Sequence, residues 1–193
     1  TLFPYTTLFR SYFDCNSANL LTNVQMFSGS PQTANNALFV VWCNNSDLYD
    51  LATSGNPDIL FWTAGIAAAQ TNEFRAITNL YAKGARTIVM PNAVDLSEVP
   101  LFAQYGFTTD YTRLVRQECI AYNIAFSNTL NQAQKACSGL TIYQPNFFGL
   151  LDDVLAHASN YGLENPMQNG GPVDAMTFYS MTCTTNNGLG ANF

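Results

Sequence analysis

Apolar positions along the chain alternate between helix-like and strand-like spacing. Leu20, Leu21, Val24 and Phe27 recur at steps of one, three and three, which predicts a helix over 17–28. Residues 28–36 are polar and read as a loop. Ala37 to Cys43 (ALFVVWC) is a short unbroken apolar run rich in Val, Phe and Trp, the pattern of a strand buried on both faces. Residues 44–55 are polar and read as a loop. From Trp62 to Ala82, Ile66, Ala69, Phe74, Ile77, Leu80 and Tyr81 mark a long amphipathic helix, with Gly84 placed as the residue just past its end. Arg86 to Met90 reads as a second buried strand stopped by Pro91, followed by a loop over 91–100. Thr108 or Thr109 is placed to cap a helix running to Ala136, with Leu114, Ile120, Ile124, Ala125, Phe126 and Leu130 inward and Ser138-Gly139 as its break. Leu140 to Tyr143 is a third strand, and Asn146 to Ala158 a further helix. The tail from Ser159 is rich in Asn, Gly and Thr, with one short helix expected over 172–179. No internal repeat is visible.

Strands separated by helices of this length predict βαβ units and a parallel sheet. Right-handed crossovers would then give a three-layer α/β sandwich. Ligands of such sheets bind at the carboxyl ends of the strands. That selects the segments 44–58, 91–100 and 144–147 before any chemistry is considered.

Composition narrows the function classes. Hydrophobic residues make up 48% of the 193 and charged residues only 10%, which excludes disorder as the main reading. The net charge of −6 and the lack of a Lys/Arg cluster argue against nucleic acid as a partner. No apolar run approaches the roughly 20 residues of a membrane span. A surface built from Asn, Gln, Ser and Thr points to a secreted or periplasmic location. Nothing in the pattern specifies an oligomer. Cys15, Cys43, Cys119, Cys137 and Cys183 are scattered without a CxxC, so no zinc knuckle or thioredoxin-like site is expected and the thiols read as small buried hydrophobes. Residues 1–11 (TLFPYTTLFRS) lack the layout of a signal peptide. They resemble the in-frame translation of a common sequencing-library adapter and are set apart from 12–193.

Three stretches carry a resemblance: NALFVVWCNNSDLYDLA, YAKGARTIVMPNAVDLSEVPLF and FFGLLDDVLAHASNYGLENP. In order and spacing they are similar to the GDSL-type lipase/esterases of the SGNH hydrolase superfamily, over about Leu20 to Phe193. The resemblance implies a flavodoxin-like parallel sheet of the SGNH type that lacks its first strands, with 12–193 as a partial domain. It implies hydrolysis of a small-molecule, lipid or polysaccharide ester by a serine nucleophile, with a His base, an Asp that orients it and an oxyanion hole. It implies no cofactor and no metal. The family's Gly-Asp-Ser and Asp-x-x-His motifs do not occur in this sequence. The chain is therefore expected to be inactive alone.

The family's Gly-x-Asn-Asp motif falls on Asn44, Asn45, Ser46 and Asp47, with Asn44 in place of the Gly and Ser46 in place of the Asn. The oxyanion donor then has three candidates: the amides of Asn44 or Asn45, or the hydroxyl of Ser46. A weakened donor and simple turn-forming roles are the alternatives. Asn44, the first side chain past the strand, is favoured. Asp47, Tyr49, Asn92 and Asp95 are the substrate-pocket candidates, with Glu98 beside them and loop solvation the alternative for both acids. Tyr49, Phe61 and Trp62 suggest an apolar acyl or aryl pocket, or else core packing. Asp153 and His157 stand four apart and read as a surface pair rather than a catalytic dyad. The adjacent Asp152 and Asp153 do not face each other and make a poor glycosidase pair. A non-catalytic carbohydrate- or ligand-binding α/β domain is the second function class. A phosphate binder is weaker, because no Gly-rich loop follows a strand.

Overall fold

A computed structural model of the chain describes residues 16–28, 30–99, 102 and 105–162. The helix expected over 172–179, Cys15, Cys183 and the adapter-like segment lie outside these residues. The elements alternate as the periodicity predicts. Helix α1 (Ser17–Met26) and a short α2 (Pro31–Ala34) lead into strand β1 (Leu38–Val40). Helices α3 (Asn44–Thr53) and α4 (Ile59–Ala82) separate it from β2 (Thr87–Val89). A 3₁₀ turn (Leu96–Glu98) and the long α5 (Thr109–Ala136) lead to β3 (Thr141–Tyr143), and α6 (Phe147–Ala156) follows, with a closing 3₁₀ turn at Ala158–Tyr161.

The sheet is parallel in the order β1-β2-β3, with Phe39 opposite Ile88 and Ile88 opposite Ile142. Phe39 and Ile88 enter a core built with Leu20, Val24, Trp62, Ile77, Tyr122 and Phe126. Burying each large apolar side chain contributes roughly 1.5–3 kcal/mol. The strands are not buried on both faces as expected. Leu38 and Val40 flank Phe39 and are 60% and 57% exposed, and Tyr143 is 57% exposed. Among the described residues the helices therefore cover the Phe39–Ile88 face, and a third layer is not among them. No described helix is long and apolar enough to cross a membrane.

Local chemistry sets the element ends. Asn16 caps α1 at Asn19 N, Asp58 caps α4 at Leu60 N, Thr108 caps α5 at Tyr111 N, and Asn146 caps α6 at Gly149 N. Gly84 ends α4 at φ +106°.

Three expectations need correction. Residues 44–53 are helical, not a loop. Their inward series is Asn44, Leu48 and Ala52 at i, i+4 and i+8, which begins on a polar side chain and so hides its period. In the same way residues 31–34 form a helical turn with Pro31 at its start. On α5 the inward stripe is Tyr111, Val115, Cys119, Tyr122, Phe126, Leu130 and Ala133. Ile120 and Ile124 are 42% and 61% exposed. A tyrosine and a cysteine hold the core positions to which the sequence pattern assigned isoleucines.

Candidate functional site

The carboxyl ends of the three strands are tied together by asparagines. Asn44 follows β1, is 1% exposed, and donates its Nδ2 to Pro91 O at 2.8 Å. Asn45 accepts from Val94 N through Oδ1 at 3.0 Å. Asn92 donates to Asn146 Oδ1 at 2.9 Å and accepts from Phe148 N at 3.0 Å. Asn123, on α5, brackets Ala93 through both its N–H and its C=O. The Asn44, Asn45 and Asn92 bonds each hold one strand-end segment against the next, and the Asn123 bonds hold the segment after β2 to α5. A short side chain with a donor and an acceptor suits that task.

The candidates then separate by exposure. Asn44 is enclosed and its amide is committed to Pro91, so it does not face solvent. Asn45 is half-buried, and because Val94 N–H can only donate, the atom facing it is Oδ1. Its Nδ2 therefore points the other way. Ser46 is half-buried, and its backbone N–H bonds to Cys43 O in the first turn of α3.

The pocket candidates do not converge. Asp47 turns inward and accepts from Ser17 N at 3.0 Å and Ser17 Oγ at 2.9 Å, with Tyr122 OH at 3.4 Å. Burial pushes its carboxyl up, against the Ser17 and Tyr122 bonds that pull it down. Tyr49 shares a 2.5 Å hydroxyl contact with Tyr105, which with burial pushes its phenol up to about 12. Asn92 faces Asn146, as above. Asp95 is 0% exposed, caps the 3₁₀ turn at Ser97 and pairs with Arg116, so it is neither a solvated loop acid nor a pocket wall. Arg116 also reaches Asp152 at 2.8 Å, which engages the predicted solvated acid. Glu98, not Asp95, borders a shallow depression with Phe107, Thr112 and Arg113.

Other readings sort likewise. Trp62 is 0% exposed and donates Nε1 to Asn56 O at 2.9 Å, so it is a core residue and no acyl pocket. The aromatic group that does form around Tyr49 consists of Tyr105, Phe107, Phe102 and Tyr111. His157 pairs with Asp153 at 2.9 Å on the exposed face of α6, as expected of a surface pair. Cys43, Cys119 and Cys137 are buried thiols. Burial pushes Cys119 up to about 12, which makes it inert.

Sequence reasoning missed Glu73. It is 0% exposed, in the middle of α4, and accepts from Tyr122 OH at 3.0 Å with Cys43 Sγ at 3.8 Å. The signal was present: Glu73 lies on the same stripe as Trp62, Ile66, Ala69, Ile77 and Leu80.

No protein-family model matches the chain, and no curated protein matches it.

Proposed function

We propose that residues 12–193 belong to a serine ester hydrolase of the GDSL type, and that Asn45 donates its amide to the oxyanion. One observation carries this reading. At the carboxyl end of a parallel sheet, Asn45 is half-exposed, and the bond from Val94 N–H fixes its carbonyl and turns its Nδ2 away from the loop. A donor held by a second bond and aimed outward is what stabilising a developing oxyanion requires. The favoured Asn44 gives way to Asn45 because Asn44 is enclosed. The parallel sheet and the three motif stretches support the three-layer SGNH architecture as part of the same reading. Nucleophile, base and orienting Asp would come from segments carrying the Gly-Asp-Ser and Asp-x-x-His motifs, and the substrate is an ester presented to a secreted or periplasmic enzyme.

The test is the open reading frame around residues 12–193, expressed with its flanking sequence and assayed on a short-chain aryl ester. Turnover is expected, with Asn45→Ala lowering kcat by about 10²–10³ at little change in KM. A flanking sequence without either motif, or an intact protein that cleaves no ester, would overturn the proposal. Residues 1–193 alone are expected to show no turnover.

A second reading rests on Trp42. It is 47% exposed at the end of β1 and stacks edge-on to Phe147 with ring centroids 4.8 Å apart. An exposed aromatic of this kind suits the apolar face of a sugar ring. Quenching of its fluorescence by soluble oligosaccharides, in a protein without esterase activity, would favour a carbohydrate-binding domain.

A further inference from the structure

We propose that Cys43, Asp47 and Glu73 form a site for one zinc-class divalent ion beneath the strand ends, with the Gln70 carboxamide as a fourth donor. This is independent of the esterase reading, since it assigns the ion a structural role in the core.

The donors come from two helical turns that face each other. Cys43 and Asp47 stand four apart across the start of α3, and Gln70 and Glu73 stand three apart on α4. The Cys43 thiol and the two carboxylates each offer an atom within 4.8 Å of the others. Zinc holds sulfur at about 2.3 Å and oxygen at about 2.0–2.2 Å, so tetrahedral donors lie roughly 3.5 Å apart. The observed spread needs a contraction of at most about 1.3 Å, within reach of side-chain rotation.

A second observation points to a ligand. Gln70 is only 9% exposed, its end group lies beside the Glu73 carboxylate, and neither Oε1 nor Nε2 makes a hydrogen bond. Glu73 Oε2 is equally buried and equally without a partner. Buried polar side-chain atoms nearly always have a partner. Three such atoms within one turn of α4, beside a thiol and a second carboxylate, mark a place where a partner belongs.

The charge of that partner follows from the surroundings. Among the described residues the groups facing the cluster are Ser17 from α1, Cys43, Asp47 and Asp50 at α3, Gln70 and Glu73 on α4, and Tyr122 from α5. None is cationic, so two carboxylates and a thiol meet with no positive side chain among them. The donor set selects the ion class. A thiolate is unsuited to magnesium or calcium, which take oxygen alone. Two carboxylates are unsuited to copper(I), which favours soft ligands. Zinc accepts both. The outer bonds are also present: Tyr122 OH donates to Glu73 Oε1, and Ser17 N and Oγ donate to Asp47 Oδ1. These leave Glu73 Oε2 available and fix both carboxylates in place. On binding, the Cys43 thiol proton and the proton held by the buried Glu73 carboxyl pass to solvent as the sulfur–metal and oxygen–metal bonds form, with no change of oxidation state.

The test uses the whole chain, treated with chelator and titrated with ZnCl₂. One equivalent is expected to bind, and Tm is expected to rise by roughly 5–10 °C at a hundredfold excess over Kd. Cobalt(II) in place of zinc should give the near-ultraviolet sulfur-to-cobalt charge-transfer band. Cys43→Ala removes the sulfur donor and should lose both signals, and the isosteric Glu73→Gln should weaken zinc binding at least tenfold. No rise in Tm, a rise retained in Cys43→Ala, or a cobalt spectrum without the sulfur band would each overturn the site.

Discussion

Glu73 is a fully buried carboxyl with no cation among the groups that act on it. Burial, and next the neighbouring Asp47 charge, push its carboxyl from an ordinary 4.5 up to about 8, while bonds from Tyr122 and Cys43 and the nearby Gln70 amide, outside hydrogen-bond distance, pull it part of the way back. The consequence for the metal-free chain has a definite sign. The unfolded chain releases this proton near 4.5, whereas the folded chain keeps it to about 8. The folded state therefore holds one more proton than the unfolded state across that window. The Glu73 contribution is fully present below 4.5 and is lost as the pH rises to about 8. In chelator-treated protein the folding constant should fall by up to about tenfold per pH unit across that interval, relative to Glu73→Gln. Urea midpoints of the two proteins at about pH 5 and about pH 8 would check this. A parallel response of the two would show that Glu73 ionises freely in the folded state. Glu73 went unread in the sequence, and Asn45 stood there only as one of several candidates, each for its own reason. An acid on an apolar stripe looks like its exposed face, and which of two adjacent asparagines faces outward depends on a backbone N–H 49 residues away.

At the scale of elements, the turn after α4 shows how much one position decides. Gly84 sits at φ +106°, and a Cβ built there would lie 2.5 Å from the Pro31 Cα. Gly84→Ala therefore forces a left-handed alanine and pushes the α2 turn off the end of α4. A loss of at least 1–3 kcal/mol in urea unfolding is expected. Gly139→Ala serves as the control: φ is +76° but no atom lies within 4 Å, so only the backbone cost applies. The same contrast explains what the pattern revealed. Gly84, Pro91 and Gly139 mark ends that need no tertiary knowledge, and α4, α5 and the three strands appear within a few residues of where their periods put them. The helix at Asn44–Thr53 was hidden because its inward series starts with a polar residue whose partner, Pro91 O, comes from another strand's loop. Asp95 was hidden in the same way, since its partner Arg116 lies on α5 and only the packed fold brings the two together.

For the molecule as a whole, the uneven covering of the sheet has the largest consequence. Phe39 and Ile88 anchor one face in the core, whereas Leu38, Val40, Trp42 and Tyr143 present apolar surface on the other, at 47–60% exposure. Among the described residues β1 pairs only with β2, so its outer row of N–H and C=O groups is available to another strand. An apolar face beside an unpaired edge is the combination that natural sheets avoid with charge, bulges or a covering element. Among the described residues none of these protects β1: Leu38, Phe39 and Val40 hold no charge and no proline, and Leu38 and Val40 stay exposed. The chain should therefore self-associate through β1, with a weight-average mass that rises with concentration in sedimentation. Leu38→Lys combined with Val40→Thr changes only the open face and leaves Phe39 in the core. That variant should stay monomeric over the same range and keep its thermal transition. Equal association of the two proteins would place the contact elsewhere. A loss of the thermal transition in the variant would mean that Leu38 and Val40 contribute to packing, contrary to their exposure. The two measurements thus separate an edge that lacks its neighbour from a surface that is complete as it stands.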